Sequence, residues 1–94
     1  MNITYVKKDS VVFTEVDGEA VLLDTKAGTY FGLDEMGSFV WRQIENKLNG
    51  DEIIELVKNN YEIDSSQLDI IKNDIGSFLS KLEEKSLVYQ GDQK

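Results

Sequence analysis

Along the first third of the chain apolar and polar residues alternate as in strands; from Asp34 onward apolar residues recur at helical spacing. Val11-Val12-Phe13-Thr14-Glu15-Val16, then Asp17-Gly18, then Glu19 to Thr25 read as strand, turn, strand. Asp-Gly between β-rich runs favours a tight hairpin turn that needs positive φ at both central residues. Ala20-Val21-Leu22-Leu23 is apolar on both faces, as expected of a central strand covered on both sides. Lys26-Ala27-Gly28 supplies a second turn and Thr29 to Leu33 a third strand, giving a meander with the first and third strands at its edges. A further β-segment near Ile3–Val6 is only faintly patterned.

Asp34 is placed to cap a largely buried helix carrying Met36, Phe39, Val40, Trp41, Ile44 and Leu48, which Asn49-Gly50 ends. A second helix starts near Asp51 and groups Ile53, Ile54, Leu56, Val57 and Tyr61. Asp64-Ser65-Ser66-Gln67 has the pattern of a capping box. It opens the longest helix, through about Glu84, with a stripe of Leu68, Ile71, Ile75, Phe78, Leu79 and Leu82. Leu87-Val88-Tyr89 suggests a last short strand. The expectation is an α+β fold, a three-stranded antiparallel sheet followed by three helices, related to winged helix-turn-helix domains. The 94 residues fit one domain, with a core over about residues 11–88 and flexible ends at 1–10 and 90–94.

Composition narrows the chemistry. There is no Cys and no His, so disulfides, thiolate or imidazole metal ligands and histidine-based catalysis are excluded. Asp51-Glu52 and Glu83-Glu84 are adjacent on helices and do not face each other, so neither makes an acid–base pair or a metal clamp. The expectation is no catalytic residue, no metal and no cofactor. Gly28, Gly32 and Gly37 lack the spacing of a phosphate-binding loop and read as turn and close-packing positions. The formal charge of −8 opposes nucleic acid and anionic membrane. The long helix offers Lys72, Asn73 and Lys81 but also Asp69, Asp74, Glu83 and Glu84, so no basic stripe meets a DNA groove. No apolar run spans a membrane and Met1–Ser10 lacks a secretory signal, which makes the cytoplasm the expected location.

What remains is the third strand. Thr29-Tyr30-Phe31-Gly32-Leu33 holds neither Lys nor Pro, the residues that commonly blunt an edge, and so can accept a foreign strand. Tyr30 and Phe31 must point to opposite faces, one inward; alternation does not say which. On the long helix Ile70 lies off the stripe, beside Asp74, Ser77 and Lys81. It is either one wall of a peptide groove or a stray exposed residue.

The run Val21-Leu22-Leu23-Asp24, then Gly28-Thr29-Tyr30-Phe31-Gly32-Leu33-Asp34, then Gly37 and Trp41, resembles the PqqD family of coenzyme PQQ synthesis. The same domain is known as the RiPP recognition element. Asp51-Glu52-Ile53-Ile54, and Phe78-Leu79-Lys81-Leu82 with Leu87, extend the resemblance over about Val11 to Val88. Ser86 stands where family members often carry Gly, and Asn49-Gly50-Asp51 replaces the usual Thr or Ser before helix two.

The resemblance implies a non-catalytic adaptor or chaperone. It would bind the leader of a ribosomally made precursor peptide by strand addition and deliver it to a maturation enzyme: a radical SAM protein, a leader protease or a cyclase, in PQQ, lasso-peptide or sactipeptide-type biosynthesis. Carried onto this chain, Thr29, Tyr30, Phe31, Gly32 and Leu33 pair with the leader. Ile71, Asp74, Ile75, Phe78 and Lys81 line the groove, with Ile70 at its rim. If the Phe31 N–H faces the leader, Phe31→Pro blocks the pairing. The alternatives are a winged-helix domain of transcription regulation or protein interaction, and a subunit that dimerises through the same edge; a monomer or weak dimer is expected.

Overall fold

Two left-handed residues, Asp17 (φ 54°) and Gly18 (φ 82°), turn the chain back on itself in a computed structural model that describes residues 3–91. They join β2 (Val11–Val16) to β3 (Glu19–Asp24) in the mirror-image turn whose twist suits a hairpin. A four-residue loop then leads to β4 (Thr29–Leu33). Its geometry is set by Asp24, whose Oδ1 accepts from the N–H groups of Lys26 (3.0 Å) and Ala27 (3.1 Å). Gly28 leaves this loop at φ 74°, where a side chain would be strained. The sheet runs β2-β3-β4, fully antiparallel, with β4 at one edge.

Three helices follow: α1 (Glu35–Glu45), α2 (Gly50–Asn60) and α3 (Leu68–Glu84). Asp34 caps α1 through its Oδ1, which accepts the Gly37 N–H at 2.7 Å. Asn49 and Glu52 form a reciprocal capping box on α2, each backbone N–H donating to the other side chain at 2.9 Å. The box expected at Asp64–Gln67 does not form. Asp64 Oδ1 instead accepts from the N–H and hydroxyl of Ser66 (3.1 and 2.6 Å), and α3 begins at Leu68 without a side-chain cap. The first helix also stops earlier than its apolar pattern suggests. Lys47 turns left-handed (φ 66°), which places Leu48 outside α1 yet still against the core.

The core lies between one sheet face and the helices. It gathers Val11 and Leu22 from the sheet, Val40, Trp41 and Ile44 from α1, Ile53 and Val57 from α2, and Ile75, Leu79 and Leu82 from α3. Burial of these apolar side chains is the main force holding the helices to the meander. The segment before Val11, expected as a flexible end outside the core, contains β1 (Tyr5–Lys7). It pairs antiparallel with β5 (Val88–Gln90), and Tyr5 is only 5% exposed. Of the other expected end, residues 92–94 lie outside the described residues, as do residues 1 and 2.

Candidate functional site

The alternation of strand amides decides which groups of β4 face the outside. Successive residues of a strand send their N–H and C=O to opposite sides. The two-residue turn closes on the pair Val16–Glu19, so Thr14–Val21 and Val12–Leu23 are the hydrogen-bonded pairs of β2 with β3. In agreement, Thr25 N–H points the same way and donates to Ser10 O at 2.8 Å, while Val11 N–H points outward to Lys8 O at 3.0 Å. Ala20, Leu22 and Asp24 must then bond β4, where they oppose Leu33, Phe31 and Thr29. The amides of Tyr30 and Gly32 are left directed away from the sheet. Among the described residues no strand pairs with that rail. Since Phe31 directs its N–H inward to β3, Phe31→Pro is not the substitution that tests outward pairing.

Side chains follow the opposite logic. Phe31 points toward the helices and lies 6.4 Å from Phe78 of α3, ring to ring, tilted by 46°. Tyr30 points to the far face of the sheet and is 76% exposed. The question left open by alternation is thereby answered: Phe31 goes in and Tyr30 stays out.

Beside this strand the molecule is open. A cavity of about 420 Å³ sits between α1 and α3, lined from α3 by Ile71, Asp74, Ile75, Ser77, Phe78 and Lys81. Five of the expected groove residues are therefore brought together on one surface. Ile70 is not among them; it is 61% exposed and lies outside the lining of this cavity. A cleft of about 660 Å³ adjoins at Phe78 and runs past Phe31, Gly32 and Leu33 toward Glu15, Glu19 and Glu35. At the other end of β4 a hollow of about 510 Å³ separates Thr29, Tyr30 and Phe31 from Glu84 and Lys85 at the end of α3. Thr29 to Leu33 thus borders open space along its length, with apolar walls in the middle and charges at both ends.

The opposing wall of the cavity comes from α1, through Met36, Gly37 and Val40. Sequence reasoning assigned Met36 and Val40 to the buried face of the helix and Gly37 to a turn or close-packing role, none of them to a site. The available signal was Gly37: a Cβ there would stand 3.2 Å from Asp34 Oδ1 and 3.3 Å from Phe78 Cε1, so glycine lets α1 approach Phe78. Phe39 of α1 and Tyr61 at the end of α2 pack edge to face at 5.8 Å. Burial, then the carboxylates of Glu35 and Asp34, push the Tyr61 hydroxyl above its ordinary pKa. A site of this kind offers hydrogen-bonding backbone, apolar hollows and flanking charge. Among the described residues no group of acidic side chains is arranged to hold a metal ion, and no helix is long and apolar enough to cross a membrane.

No curated protein matches the chain. A solved structure described as TbiB1 in complex with the TbiA(beta) leader peptide is 33% identical with a TM-score of 0.77, over 94% of this chain and 99% of that one. Lasso peptide synthetase B1 complexed with the leader peptide shares the fold at a TM-score of 0.75 and 16% identity, over 92% and 98% of the two chains. The family described as coenzyme PQQ synthesis protein D (PqqD) matches residues 19–88, from the start of β3 to the first residue of β5. A match over that span, on a chain whose fold these relatives share almost end to end, means that the protein belongs to the PqqD family.

Proposed function

We propose that this protein binds the leader segment of a ribosomally made precursor peptide as an added strand on β4, seated against α3, and presents it to a maturation enzyme. The observation that carries this reading is the unpaired amide rail of Tyr30 and Gly32 beside an apolar slot. Main-chain hydrogen bonds to that rail supply direction and part of the affinity. Side chains of the leader alternate, so every second one enters the slot, where Ile71, Ile75 and Phe78 offer apolar contact. Asp74 and Lys81, two turns apart on α3, fix register through charge. The 33%-identical TbiB1, solved with a leader peptide, supports the same use of this fold. The role is one of binding and delivery in the cytoplasm, without a catalytic step by this chain; the enzyme served is a radical SAM protein, a leader protease or a cyclase.

Titration of isotope-labelled protein tests the reading, with two probes: the TbiA(beta) leader peptide, and peptides selected on this protein from a random twelve-residue phage library. The expected result is saturable shifts of the Thr29–Leu33 amides and of α3 residues 71–81. If neither probe moves those amides at high peptide excess, the proposed site is wrong.

A further inference from the structure

Gly32 occupies a position where the fold has no need of glycine. Its φ is not left-handed, and a Cβ built on it meets no heavy atom within 4 Å. Gly28 and Gly37 differ: one holds a positive φ and the other lies in tight contact with Phe78 and Asp34. The sequence-based expectation that all three serve turns or close packing therefore fails at Gly32. Glycine inside a strand weakens it through backbone entropy and lost packing, and commonly marks a place where another backbone or ligand comes close. Gly32 sits on the outward rail, on the same sheet face as Tyr30 two residues away. Its missing side chain leaves a bare gap between Val21, its partner on β3, and the open edge.

We propose that this gap is a seat for a bulky apolar side chain, aromatic or branched aliphatic, carried by the peptide residue directly opposite Gly32. The proposal rests on β4 being the peptide-accepting edge. Opposed residues on adjacent strands place their side chains on the same face, whichever way the added strand runs. A large side chain at that point lies across the bare Cα toward Val21. Tyr30, a ring otherwise left in water, stands along its flank. An aromatic group laid over a glycine covers backbone that water would otherwise wet. The peptide is thus read on both faces, its slot-facing residues by α3 and the residue between them by Gly32 and Tyr30. Gly32 makes this a selection by size.

The test selects peptides from a random twelve-residue phage library on the wild-type protein, on Gly32→Ala and on Gly32→Val. Register on β4 is assigned by intermolecular NMR contacts. Wild-type selections should carry Trp, Tyr, Phe, Leu or Ile opposite Gly32. These peptides should bind Gly32→Val about tenfold or more weakly, with Gly32→Ala between, because the added methyl groups overfill the seat. Selections on Gly32→Val should instead favour Gly, Ala or Ser at that position. Both variants should melt no lower than wild type, since nothing in the fold obstructs the new side chain. Peptides that pair with β4 but bind both variants within twofold of wild type would overturn the proposal alone. So would a marked loss of thermal stability in Gly32→Ala, which would make the glycine structural. Selected peptides that leave the Thr29–Leu33 amides unmoved would overturn this inference, and the leader-binding reading with it if the TbiA(beta) leader peptide leaves them unmoved as well.

Discussion

Asp24, 3% exposed at the end of β3, binds the loop that launches β4, and it should leave a pH signature. The Ala27 N–H, the Ser10 hydroxyl (2.9 Å) and the Lys26 N–H stabilise the ionised carboxylate, with Lys8 at 3.7 Å, and together they outweigh burial and hold its pKa below 3.8. The unfolded chain then binds the proton more readily than the native one. Stability from this group is complete above the ordinary carboxylate value and is lost as pH falls through it toward the lower native value. Asp24→Asn should lower the melting temperature at pH 7 and show a shallower fall between pH 4 and 2 than wild type, as thermal melts followed by circular dichroism would show. At this scale the sequence was partly readable. That Tyr30 and Phe31 part company follows from alternation, but which one enters depends on Phe78, 47 residues beyond Phe31 in the chain and invisible to a local pattern.

At the level of elements, hydrogen-bond parity separates two neighbouring substitutions on β4. Proline at an outward amide leaves the internal ladder whole, while proline at an inward one removes a bond to β3. Tyr30→Pro should therefore stay folded and lose peptide binding, whereas Phe31→Pro should melt well below wild type; a melt and a peptide titration on each variant check the pair. The strands, the Asp17-Gly18 turn and the apolar stripe of α3 were legible because each is fixed by residues close in sequence. Helix limits were less so. Asp64 had the letters of a cap but spends its oxygen on Ser66, while Asn49, which the apolar pattern marks as the end of the first helix, caps α2 in full. The part played by α1 in the cavity was hidden for another reason: Met36 and Val40 have the same apolar character whether they face the core or a hollow beside it.

Across the whole molecule, the two short strands at the chain ends are part of the structure rather than an appendix to it. Gly91 N–H donates to Thr4 O at 2.8 Å and Lys8 N–H to Leu87 O at 3.1 Å, so bonds flank the β1–β5 pair on both sides. Between them Tyr5 is buried against the core. Tyr5→Ala should cost about 3 kcal/mol, in the range for removing a buried aromatic, and urea unfolding would measure it. A short β-segment with one strongly buried residue carries almost no periodicity, which is why the pattern near Ile3–Val6 was faint.

That terminal pairing has a mechanical meaning as well. Because Tyr5 stands opposite Gln90 in an antiparallel register, the chain enters and leaves the domain at neighbouring points. Tension applied to both ends would peel the ladder open one rung at a time instead of shearing all its rungs together. The domain should therefore yield first at this zipper, under modest load, while the β2-β3-β4 sheet and its open edge stay intact.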